Sequence, residues 1–124
     1  MIEPIVEMPD GTLGYRVTDA LTDADYADVL APALRAAAAA GEVRLLLLAT
    51  KGFDLGTLRS RFEEMRGDPE LDLGHSKDWK RVAIVAEANF ILRTAFPAVA
   101  KVLPVETRLF GLDDESEARS WIVG

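Results

Sequence analysis

The chain has 124 residues, 49% of them hydrophobic, with 14 Lys and Arg against 21 Asp and Glu, a net charge of -7 and no cysteine. That length fits one domain, 1–124, able to bury roughly two thirds of its unfolded surface, and the apolar fraction excludes a disordered chain. The missing cysteines exclude disulfides, thiolate zinc sites and cysteine nucleophiles, while the acidic balance argues against nucleic acid and anionic membranes, which call for clustered cations.

Met1-Ile2-Glu3-Pro4 carries no basic region, and no apolar run approaches the ~20 residues of a spanning helix, so a cytoplasmic protein without integral membrane contact is expected. Ile5 to Met8 reads as a short strand. Pro9-Asp10-Gly11 follows as a turn with its positive φ on Gly11, and Leu13 to Val17 alternates as the second arm of a hairpin. Thr22 is placed to cap a helix with acids in its first turn. Tyr26, Val29, Leu30, Ala33, Leu34 and Ala37 then form one helical face that ends at Gly41, with Pro32 set to kink it or shorten its regular part.

Val43 to Ala49 is apolar at nearly every position, as in a strand covered on both faces. Asp54 can cap a helix with Leu55, Leu58, Phe62 and Met65 on its inner face, and Gly67 to Gly74 is a polar connector. A second buried strand is expected over Arg81 to Ala86, a helix over Ala88 to Val102, a last strand over Val105 to Phe110, and a last helix over Asp113 to Ile122 with Asp113 or Asp114 as its cap. The order β-β-α-β-α-β-α-β-α predicts an α/β fold. Its mixed, mostly parallel sheet of about five strands has right-handed crossovers and an antiparallel N-terminal hairpin. No linker, repeat or low-complexity segment interrupts it.

Leu21-Thr22-Asp23-Ala24-Asp25-Tyr26, Phe53-Asp54-Leu55-Gly56, Lys77 through Val85, Arg108-Leu109-Phe110, and Glu117 through Ile122 stand in this order along the chain. Together these segments resemble the SpoIIAA-like family, which shares the STAS fold and is structurally akin to CRAL-TRIO domains. The resemblance spans nearly the whole chain and implies a fold far more firmly than a function, since the family as a whole has no established biochemical activity. STAS relatives that antagonise anti-sigma factors are switched by phosphorylation of a serine in a segment like Asp-Ser-Ser-Gly-Leu-Gly. Here Lys51, Gly52, Phe53 and Asp54 stand in place of Asp-Ser-Ser-Gly, no hydroxyl falls on the phosphorylated position, and the switch is not carried over.

Ligands of open parallel sheets gather beyond the carboxyl ends of the strands. Lys51, Phe53, Glu87, Asn89 and Phe90 fall there and are the candidate ligand-binding residues, although Asp54, Glu87 and Asn89 serve equally well as helix caps. Asp68, Glu70, Asp72 and His75 match no metal-binding loop, so neither a metal nor a cofactor is assigned. Lys77, Trp79, Lys80 and Arg81 interleave cation and ring as nucleic-acid patches do, yet Trp79 adjoins a core strand and is expected to pack under the sheet. Phe90, Ile91, Phe96 and Val99 cover more than half of their helix and are the candidate interface of a homodimer. No nucleophile–base set is recognisable, and no catalytic residue is assigned. The expected function is a non-catalytic regulatory or interaction module. The alternative is a carrier or sensor of a small apolar or lipid-like molecule, which would need an enclosed cavity of roughly 300 Å³ or more.

Overall fold

Apolar side chains at both parities suit Val43–Ala49 only where both faces of a sheet are covered. In the computed structural model, which describes residues 1–50, 60, 61, 63, 64, 79–87, 97 and 106–124, this run is the middle strand of five. The strands β1 (Ile2–Pro4), β2 (Leu13–Val17), β3 (Val43–Ala49), β4 (Trp79–Val85) and β5 (Glu106–Phe110) lie side by side in that order. β1 is antiparallel to β2 and the remaining pairings are parallel, which gives the mixed α/β sheet that the sequence predicts. Val43, Leu45, Leu47 and Ala49 face a core shared with Tyr15, Val17, Val82 and Ile84. Leu46 and Leu48 face the opposite way, into a second core with Ala83, Val85 and Phe110.

The first core is closed by the chain between β2 and β3. Thr22 and Asp25 form a capping box there: the Asp25 amide donates to Thr22 Oγ1 at 3.1 Å and the Thr22 amide to Asp25 Oδ2 at 3.2 Å. Asp25–Leu30 then winds as wide π turns, and only from Ala31 does the regular helix α1 (Ala31–Ala39) begin. Pro32 accounts for this, since it lacks an N–H and its ring crowds the carbonyl of Asp28; a wider turn ahead of it relieves the clash. Tyr26, Leu30 and Leu34 are buried, with Val29, Ala33 and Ala37 packed at their margin, so the expected helical face is the one used. Gly41, at φ 95°, closes α1: its amide reaches the Ala38 carbonyl at 3.0 Å and the Glu42 amide reaches Ala37 at 3.3 Å, a Schellman arrangement.

The hairpin corrects one expectation. Its first strand is Ile2–Pro4, not Ile5 to Met8. Ile2 pairs with Val17 and buries on the α1 side, and the last backbone bond runs from the Ile5 amide to the Gly14 carbonyl at 2.8 Å. Beyond it the chain crosses the sheet, so that Ile5 and Met8 join the second core. Gly14 permits the crossing, because a Cβ there would fall within 3.0 Å of the Met8 side chain. The turn itself is as expected, with Gly11 at φ 80° and the Thr12 amide bonded to the Pro9 carbonyl at 3.2 Å.

β4 begins at Trp79, two residues earlier than its apolar run suggests, and contains a register shift. Val43 pairs with Trp79 but Arg44 pairs with Arg81, leaving Lys80 as an inserted residue. An insertion reverses the facing of everything before it. Trp79 therefore packs in the α1 core with Val82 and Ile84, while Arg81 lies on the opposite face with Ala83 and Val85. There the C-terminal helix α2 (Glu115–Val123) buries Ala118 and Ile122, after a 3-10 turn at Leu112–Asp114. Asp114 stands at its N-cap as expected but makes no side-chain capping bond. At the other end, Arg44 Nη1 donates to the Ile122 carbonyl at 2.5 Å and Arg81 Nη1 to the Trp121 carbonyl. Two cations thus answer the exposed carbonyls and the negative pole of α2. The Arg81 guanidinium also lies 4.8 Å from the Trp121 ring centre, and that ring is 5.6 Å from Phe110.

Two stability measurements test this packing. Arg81→Leu leaves the Trp121 carbonyl without its charged donor and should cost about 1.5–3 kcal/mol in urea unfolding followed by tryptophan fluorescence. Gly14→Ala should cost about 1–3 kcal/mol through the overlap with Met8, and most of that cost should vanish when it is made in a Met8→Ala background.

Candidate functional site

The parallel strands β2 to β5 all finish on one side of the sheet, where they present Thr18, Thr50, Glu87 and Gly111 in turn. Backbone bonds carry the ladder one residue further, from the Thr50 amide to Val17 at 2.9 Å and from the Ala86 amide to Phe110 at 3.0 Å. This fixes the carboxyl edge as a rigid rim. Thr50 Oγ1 donates to the Val17 carbonyl at 3.2 Å and stands 2.9 Å from Thr18 Oγ1. With its proton given to Val17, the Thr50 hydroxyl accepts the one from Thr18. The pair ties the ends of β2 and β3 together. The sequence carried its signal, since a threonine directly follows both Val17 and Ala49, which are register partners.

Glu87 is exposed on this rim, two residues beyond the end of β4. Lys51, Phe53, Asn89 and Phe90 lie outside the described residues, as do Ile91, Phe96 and Val99 of the candidate interface and the cluster Asp68, Glu70, Asp72 and His75. Among the described residues no group of three or more His, Asp or Glu side chains is placed to hold a metal, and no helix is long and apolar enough to cross a membrane.

Of the cation and ring series, Trp79 is buried, with its indole N–H unpartnered among the described residues, and Arg81 is committed to α2. Arg81 also pairs with Glu106 at 3.4 Å. Trp79 belongs to the α1 core and Arg81 reaches α2 on the other face of the sheet, so the two do not form one basic surface. Another arginine serves the same kind of purpose: Arg61 is ion-paired with Asp23 at the start of the first helix and with Glu64 at 3.2 Å.

Beside the rim, Asp25 combines its capping bonds with an ion pair to the Met1 ammonium at 3.1 Å, and that ammonium also donates to the Thr18 carbonyl at 2.9 Å. Burial pushes the Asp25 carboxyl up, but the Thr22 amide, the ammonium and the Thr22 hydroxyl outweigh it and hold its pKa below the usual aspartate value. On the α1 face, burial raises the Tyr15 phenol.

At the amino-terminal end of β2, the hairpin encloses an open hollow of about 310 Å³ whose lining includes Ile5, Val6, Met8, Asp10 and Thr12. It is bounded by one continuous segment of chain, lies away from the carboxyl rim, and contains none of the candidate ligand-binding residues.

The SpoIIAA-like family model matches residues 12–123, from the start of β2 to the last turn of α2. The chain belongs to the SpoIIAA-like family. The match covers all three parallel pairings, the bulge at Lys80 and both helices that close the two cores of this SpoIIAA-like domain. No curated protein and no solved structure matches the chain.

The sign of the Asp25 shift makes a pH test possible. A lowered folded-state pKa contributes stability that is present above the unfolded value and is lost as pH falls through the folded one. Wild type should therefore exceed Asp25→Asn in stability at neutral pH, with the gap closing as pH drops below the ordinary aspartate range. Urea unfolding of both proteins across that range measures it; a gap independent of pH would contradict the assignment.

Proposed function

We propose that this SpoIIAA-like protein is a non-catalytic module that acts in the cytoplasm by binding another protein chain. The observation that carries the reading is how the described charges are used within a family that fits such modules. Arg44 and Arg81 hold the end of α2, Asp25 caps the first helix, and Arg61 ties that helix to a later segment. Each of them is engaged by a backbone group or an opposite charge that holds elements of the fold together, which supports a structural rather than an acid–base use of these charges. The rim is held at Thr18 and Thr50 by their hydroxyl pair, with Glu87 exposed beside it. Lys51, Phe53, Asn89 and Phe90 follow it in sequence and are the residues we assign to ligand or partner contact.

The breadth of the apolar face formed by Phe90, Ile91, Phe96 and Val99 supports self-association as a homodimer. Native mass spectrometry of the protein purified without denaturation tests both parts of the reading. A dimer of unmodified mass is expected, and Phe90→Glu and Phe96→Glu should each convert it to a folded monomer. A monomeric wild type, or variants that unfold, would place those side chains in the core and remove the interface. Added mass of small-molecule size would instead establish the carrier reading.

A further inference from the structure

We draw no further inference here: the strongest candidate, the outer edge of β5, whose exposed Glu106 and Arg108 would meet the opposite charges of a second copy in an antiparallel pairing, borders segments outside the described residues, and nothing in the structure shows what covers it.

Discussion

Arg44 and Arg81 stand side by side on neighbouring central strands, and the rest of the structure depends on how that placement is tolerated. Two adjacent guanidiniums repel each other and resist burial unless each finds acceptors. Here each finds a carbonyl in the last turn of α2, with Glu42 beside Arg44 and Glu106 beside Arg81 supplying negative charge. The helix gains as much as the arginines do. Nine residues form a marginal helix in isolation, and α2 buries only Ala118 and Ile122 fully. The arginines, the Trp121 contact and that small apolar stripe together hold it across the sheet.

The bulge at Lys80 makes the arrangement possible. In a regular strand without the bulge, Trp79 and Arg81, two residues apart, would share a face, and either an indole would leave the α1 core or a charge would enter it. With it, Trp79 packs with Val82 and Ile84 while Arg81 reaches α2. A strand covered on both sides can therefore carry a cation at its start without exposing the sheet. The same economy appears at the hairpin, where the absence of a side chain at Gly14 lets Met8 cross onto the second face. Charge in this region is engaged in holding helices to the sheet.

The regular part of the fold was legible in the sequence because it follows local rules. The apolar run of β3, the Thr22 cap, the 3.6-residue face of the first helix and the Gly41 stop each rest on neighbours in the chain. What local reading misplaced were features fixed by distant partners. The hairpin strand moved from Ile5–Met8 to Ile2–Pro4 because Val17 and Gly14 set its register and exit. β4 gained Trp79 because a bulge, invisible to a period-2 pattern, changed its facing. The Thr18 and Thr50 pair was missed because the two residues are 32 positions apart and meet only through the β2–β3 register. Of the candidate site, Glu87 is on the rim where it was expected, and the contacts assigned to Lys51, Phe53, Asn89 and Phe90 rest on their place in the sequence.

Membership in the SpoIIAA-like family fixes the frame within which the binding reading stands, and the frame in turn rests on the hold of two strands over one helix. Native-state hydrogen exchange on wild type and on Arg44→Met/Arg81→Met tests that hold most directly. The double variant should lose protection across the amides of α2 while β3 and the α1 core keep theirs, because the first core shares no side chain with the clasp. Equal protection of α2 in both proteins would show that apolar packing alone holds the helix, and would contradict the structural role given to the paired arginines.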